Sequence, residues 1–252
     1  MYICSVLGLG DLIICNGLIR HLVNNNLDKS YTLTVKDVYA KQVEYMFRDL
    51  KSLKFHYVKN DNDTGDFIRK NKLVYGVDFL LIGLWGHVNF FPSYAHDFSG
   101  ESIIIDYSKT EYTWDQWFYI KNAVDLKIRH TDFKIERDEA RELLLFNKLN
   151  PERLPYAVIH NIGSDGVDRI LSPVIDKSLK LIYIDNTHTD LIFDYIKILT
   201  EAEEIHCIDS CFKHLVDFFE TKAEKTGRLF YYNKAQKRKG RPHSASKKWN
   251  LL

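Results

Sequence analysis

Three stretches of the chain hold residue types that could do chemistry. The first is Asp209-Ser210, which ends the apolar run Ile205-His206-Cys207-Ile208 and is followed by Cys211, Lys213, His214 and Leu215. A strand that gives way at once to a helix leaves the first helical N–H groups unpaired, and with the helix dipole they favour a phosphate. Lys213 could add positive charge there, and His214 lies about one turn inside. The same residues also suit a plain Asp/Ser cap over a core histidine. The second stretch is His160-Asn161-Ile162-Gly163-Ser164-Asp165-Gly166-Val167-Asp168-Arg169, a polar loop after another apolar run. Gly163 and Gly166 permit positive φ and let backbone N–H groups converge on an anion, which Arg169 could clamp bidentately. A solvated turn is the bland alternative. The third is Gly8-Leu9-Gly10-Asp11, which follows Tyr2–Val6. It reads as a glycine turn carrying one carboxylate at the C-terminal end of a first strand, where open α/β sheets bind ligands. Asp11 is equally well placed to cap a following helix.

The elements that would position these residues follow from periodicity. Residues 12–24 carry apolar side chains at helical spacing, and Gly17 within them lets a ligand or a neighbouring element approach closely. Strands are expected at 31–35, 53–58 and 77–82, and helices at 38–48 and 63–71. This β–α alternation predicts a parallel sheet. Residues 83–118 interrupt it with Trp85, His87, Phe90, Phe91, Trp114 and Trp117. That aromatic segment suits the wall of a sugar-binding pocket, or a covering loop. Two helices, 114–128 and 136–149, lead to Pro151–Pro155, the best boundary between an N-terminal domain, 1–152, and a C-terminal one, 153–252. The rhythm then restarts with strands at 156–160, 179–184, 205–208 and 229–232 and helices at 189–199 and 210–220. The expected architecture is α/β, in two Rossmann-like halves of roughly similar size. A basic segment, 234–248, ends in Trp249, an apolar anchor that suits a docked tail rather than a free one.

Bulk composition excludes several classes. The chain has 252 residues, 45% of them hydrophobic, and a net charge of +1, so it can bury a core and has no global pull towards nucleic acid or membrane. No charged-then-apolar leader and no spanning apolar run is visible, which points to a cytoplasmic protein. Cys4, Cys15, Cys207 and Cys211 form no CxxC pair, so free thiols are expected and a zinc site is not.

In combination, Gly-x-Gly-Asp at 8–11 and Asp209-Ser210 with His214-Leu215 resemble the heptosyltransferase-like glycosyltransferases, GT-B enzymes of bacterial surface-polysaccharide synthesis. His160-Asn161-Ile162-Gly163-Ser164 loosely matches their mid-chain His-Pro-Gly-Ala/Ser, and Arg169 is the one basic residue matching their Lys-Arg-Trp-Pro element. Cys211 stands where those enzymes have glycine. The resemblance implies transfer of a sugar from a nucleotide-sugar donor to a glycan or glycolipid acceptor, without metal or cofactor. It implies a GT-B architecture, with the two halves facing across a cleft and the final segment, through Trp249, packing back on the first half, and it implies Asp11 as catalytic base. Gly163, Ser164, Arg169, Asp209, Ser210, Cys211, Lys213 and His214 would lie on the donor side, with Lys247 and Lys248 as secondary phosphate candidates. Gly10, Trp85, His87 and Trp114 would lie on the acceptor side. No nucleic-acid partner is implied; peripheral membrane contact is compatible with a glycolipid acceptor.

Three rival readings are weighed against it. A dinucleotide oxidoreductase would use Gly8 and Gly10, but no third glycine follows, and Asp11 would repel a pyrophosphate. A non-catalytic sugar-nucleotide or glycan-binding protein of the same fold would keep the cleft without turnover. A nucleic-acid binder would rest only on the basic tail beside Tyr231-Tyr232.

Overall fold

The computed structural model describes residues 1–25, 29–83, 112–113, 115–163, 166–168, 175–232 and 247–252. The chain forms two compact units, one built on Met1–Glu136 and the other on Arg137–Lys239 with Ala245–Leu252. The division falls ahead of Pro151–Pro155 because the helix Glu139–Leu149 belongs with the second unit. Arg141 on that helix reaches the buried Asp194 through Nε at 2.9 Å and Nη2 at 2.7 Å.

The first unit is a parallel sheet of β1 (Tyr2–Ser5), β2 (Tyr31–Lys36), β3 (Leu53–Val58) and β4 (Phe79–Ile82) in the order β3-β2-β1-β4. The central strand is apolar on both faces, as a sheet covered on both sides requires. Cys4 and Val6 pack with Ile68, Phe79 and Leu81. Ile68 lies on the helix Asp61–Lys70, which starts two residues earlier than its sequence suggests. Asn60 caps that helix, and Asp63 returns the bond in a capping box.

The helix expected at 12–24 is two helices, α1 (Leu9–Ile14) and α2 (Asn16–Asn24), joined at Cys15. Gly17 serves a neighbouring element. A Cβ there would stand 2.4 Å from the Ile128 carbonyl oxygen, on the short helix Ile128–Thr131. The region 114–128 likewise yields only short helices, Gln116–Ile120 and Ile128–Thr131. They are tied down by buried polar groups: the Tyr119 hydroxyl donates to the Ile14 carbonyl at 2.7 Å, and Arg129 pairs with the fully buried Asp115.

The second unit is a five-stranded parallel sheet of β5 (Tyr156–His160), β6 (Lys180–Tyr183), β7 (Glu204–Ile208), β8 (Leu229–Tyr232) and β9 (Asn250–Leu251), in the order β6-β5-β7-β8-β9. Every residue of β5 and β7 is buried. Ile159, Ile208 and Tyr232 form the core of one face. On the other, the Phe212 ring meets His160 at 4.6 Å and Tyr195 at 5.3 Å between centroids. Trp249 is anchored within the second unit. Its indole Nε1 donates to Asp217 at 2.9 Å, and the residues after it add β9 to β8. No helix among the described residues is long and apolar enough to cross a membrane.

Candidate functional site

In an open parallel sheet, connections leaving two adjacent strands in opposite directions open a crevice at their C-terminal ends. In the second unit that point lies between β5, which connects onward to β6, and β7, which connects onward to β8. His160 pairs in register with Cys207, so the loops after these two strands are neighbours. They are the two polar loops singled out by sequence.

After β7 the chain turns at Asp209-Ser210 directly into α9, Cys211–Phe218. (The intervening helices, in chain order after α2, are α3, Ala40–Met46; α4, Asp61–Lys70; α5, Gln116–Ile120; α6, Ile128–Thr131; α7, Glu139–Leu149; and α8, Ile196–Glu201.) Ser210 is the N-cap, with extended backbone and a hydroxyl that accepts from the Lys213 N–H at 3.4 Å. The Asp209 side chain is 38% exposed, accepts from the Tyr231 hydroxyl and stands 3.9 Å from His214 Nε2. The Cys211 thiol is pushed up to about 11 by burial, partly offset by hydrogen bonds from the backbone N–H groups of Cys211 and Phe212. The sulfur thus lies close to the backbone N–H groups of Cys211 and Phe212 at the start of α9. It occupies the place where the resembling enzymes carry glycine.

Lys213 is not a phosphate ligand in this arrangement. It is 2% exposed, its Nζ donates to Asp217 at 2.6 Å, and it lies 5.7 Å from the centre of the Tyr231 ring. Four residues separate Lys213 and Asp217, so the helix itself brings them together. His214 is 2% exposed beneath Asp209, the core histidine of the bland reading, yet in reach of the loop it would order. Lys247 is also engaged elsewhere, donating to the Phe219 carbonyl at 2.7 Å and pairing with Glu224.

The loop after β5 closes on itself. Ile162 pairs antiparallel with Asp168, Asn161 donates to the Asp168 carboxylate at 2.8 Å, and the Gly163 N–H donates to the Val167 carbonyl at 3.1 Å. Gly166 takes the positive φ, +75°, that the turn needs. The Gly163 N–H is thus spent within the turn and is not offered to an anion, as the glycine pair in the sequence would allow. His160 anchors the loop's root. Its Nδ1 donates to the Ile184 carbonyl at 3.0 Å, which fixes the tautomer, and burial pushes the ring below the ordinary histidine range, so it is neutral at pH 7. Ser164 and Arg169 lie outside the described residues.

In the first unit the corresponding crevice lies between β1 and β4. The β1 end is held by hydroxyls. The Ser5 N–H donates to Thr34 Oγ1 at 2.7 Å, and Thr64 Oγ1 donates to the Ser5 carbonyl at 3.4 Å. The glycine stretch is not a free turn. Gly8 is the extended N-cap of α1, and Gly10 lies within the helix. Asp11 is the third helical residue, not the N-cap; its carboxylate, on a half-buried side chain, lies 3.8 Å from where a Cβ on Gly8 would stand. The helix begins at Leu9 because Leu12, Ile13 and Ile14 must reach the core as soon as the chain leaves β1. Next to it Gly83, with φ of +111°, ends β4 against Val6; a Cβ there would stand 2.7 Å from Val6 Cγ2. Trp85, His87 and Trp114 lie outside the described residues.

These two sheets, each with its crevice at the strands' C-terminal ends, are the Rossmann-like halves of a GT-B fold. The chain is similar over its whole length to the crystal structure of "the glycosyl transferase family 9 from Veillonella parvula", with a TM-score of 0.58 and 12% identity, covering 100% of this chain and 86% of that one. No protein-family model matches the chain, and no curated protein does.

Proposed function

We propose that this protein is a glycosyltransferase that moves a sugar from a nucleotide-sugar donor to a glycan or glycolipid acceptor in the cytoplasm, without a metal. The observation that carries this reading is the placement of Asp209, Ser210 and the α9 N-terminus beside the β5 loop, at the strand-order switch of the second sheet. The shared fold with a glycosyl transferase supports it. The second unit would take the donor. Its diphosphate would displace the Cys211 sulfur from the first-turn amides, with Arg169 adding charge. The first unit would take the acceptor, with Asp11 as the base. In that step Asp11 removes the acceptor hydroxyl proton while the oxygen forms a bond to the anomeric carbon. The bond from that carbon to the diphosphate breaks, and the electron pair leaves with the nucleotide.

A second reading, a sugar-nucleotide-binding protein without turnover, is favoured by two observations. The Cys211 sulfur lies close to the first amides of α9, and Lys213 is committed to Asp217. Release of nucleoside diphosphate from a panel of nucleotide sugars, in the presence of glycan and glycolipid acceptors, separates the two. Turnover by the wild type and its loss in Asp11→Asn, with unchanged thermal stability, is the expected result. Full activity in Asp11→Asn removes the base assignment; binding without turnover favours the second reading.

A further inference from the structure

The Asp209 carboxylate is linked to the C-terminal segment by a continuous line of contacts. The Tyr231 hydroxyl donates to Asp209, and its ring is 7% exposed. Two neighbours bound that ring: Lys213 Nζ, 5.7 Å from its centre, and the Trp249 ring, whose centroid is 6.3 Å away at 62°. These neighbours share one carboxylate. Asp217 accepts from Lys213 through Oδ2 at 2.6 Å and from Trp249 Nε1 through Oδ1 at 2.9 Å. The same segment grips the Tyr231 backbone. Leu251 pairs with it in register, and the Leu252 N–H donates to the Tyr231 carbonyl at 3.0 Å. The segment is fixed in turn by Lys247 on the Phe219 carbonyl at 2.7 Å and by Asn250 on the Gly227 carbonyl at 2.7 Å.

We propose that Tyr231 is a positioning residue that aims Asp209 at the hydroxyl groups of the bound nucleotide sugar, and that Trp249 holds Tyr231 in place through Asp217 and Lys213. The substrate part of this proposal rests on the function proposed above. With the diphosphate on the first-turn amides of α9, a neighbouring carboxylate cannot pair with it but accepts well from hydroxyls, so ribose or sugar hydroxyls are the groups Asp209 would read. A phenol donor held by packing on two sides fixes the carboxylate's rotamer before the ligand arrives. That lowers the entropy lost on binding. The last six residues are thus part of the donor site without touching it.

The test uses the full chain and three conservative variants. Tyr231→Phe removes only the hydroxyl facing Asp209. Trp249→Phe keeps an aromatic ring but removes the donor to Asp217. Tyr232→Phe is the control. It sits next in β8 and loses a comparable buried hydrogen bond, but that bond runs to His206 Nδ1 at 2.9 Å, away from the loop. Amide hydrogen exchange at 209–213 and the alkylation rate of Cys211 report loop order without any ligand. Affinity for a panel of nucleotide sugars and the donor KM report the site. Faster exchange and alkylation are expected in Tyr231→Phe and Trp249→Phe but not in Tyr232→Phe, together with a donor affinity about tenfold weaker and kcat little changed, as for a lost hydrogen bond to a charged group. Unchanged exchange and alkylation in Tyr231→Phe overturn the positioning link. Altered exchange with unchanged donor affinity overturns the role of Asp209 in reading hydroxyls. If the wild type binds no nucleotide sugar, the proposed function fails, while the exchange data still decide the link.

Discussion

Gly17 offers the sharpest physical test of the first unit, because two known effects act there in opposite directions. In Gly17→Ala the helix α2 gains about 1 kcal/mol of intrinsic propensity. The new Cβ would stand 2.4 Å from the Ile128 carbonyl oxygen and 3.1 Å from that of Arg129. Ordinary contact needs about 3.5 Å, so the helix Ile128–Thr131 must retreat by about 1 Å. The obstacle is backbone, which no rotamer change can relieve. That helix also carries Arg129, paired with the fully buried Asp115, so retreat strains a buried ion pair as well. Overpacking of this kind costs about 1–3 kcal/mol, and the ion pair places this site at the upper end. The net expectation is a loss of about 1–2 kcal/mol confined to the first unit. Urea titration read by amide exchange separates the units: exchange should rise across α1, α2 and 115–131 and stay constant in the second sheet. A variant as stable as the wild type or more so would refute the steric reasoning. Unchanged stability with lost ligand binding would assign Gly17 to a ligand instead.

Other expectations follow from the buried charges. His160 and His206 are both held below the ordinary histidine range, chiefly by burial. The unfolded chain therefore binds more protons below about pH 6.5, so the second unit should lose stability as pH falls from about 6.5 towards the lower folded pKa values. Thermal melts between pH 8 and 5 test this, and His206→Gln should flatten the slope; an unchanged slope contradicts the assignment. Asp49 is brought down to about 2 by hydrogen bonds from Arg20 and Lys134 that outweigh its desolvation. Its contribution, about 2 kcal/mol, should be complete above about pH 4 and lost as pH falls through about 2, and Asp49→Asn should remove that acid dependence. Asp115→Ala should cost about 3–5 kcal/mol by leaving Arg129 buried without its partner, whereas an apolar double replacement at 115 and 129 should recover much of it. Chemical denaturation of the single and double variants checks both statements.

The sequence exposes what local pattern controls. Apolar runs mark β1, β4 and β5, and β8 falls at Leu229–Tyr232 as its pattern predicts. The strand order, which creates the crevices, depends on which faces the crossovers cover and leaves no local signal. In sequence Asp11 suits an N-cap as well as a ligand loop, because side-chain chemistry favours Asp there over glycine, whereas burial of Leu12–Ile14 starts the helix earlier, with Gly8 as its N-cap. Lys213 illustrates a signal that was present: Asp217 four residues on marks an internal pair, but their burial is set by Trp249, which is distant in sequence. Tyr231 was missed for the same reason, since nothing in the run Leu229–Tyr232 shows that its hydroxyl reaches Asp209. The two-residue strand β9 is too short to carry a periodicity, and only its pairing with Phe230 and Tyr231 identifies it.

The central claim is that the crevice beyond β5 and β7 binds a nucleotide sugar. Amide hydrogen exchange of the full chain, with and without each of a set of nucleoside diphosphates and with NAD as comparison, tests it most directly. One nucleoside diphosphate should slow exchange at 160–163 and 209–214, while NAD has no effect. Protection by NAD at 8–12, or no protection of either second-unit loop by any nucleoside diphosphate, would contradict it.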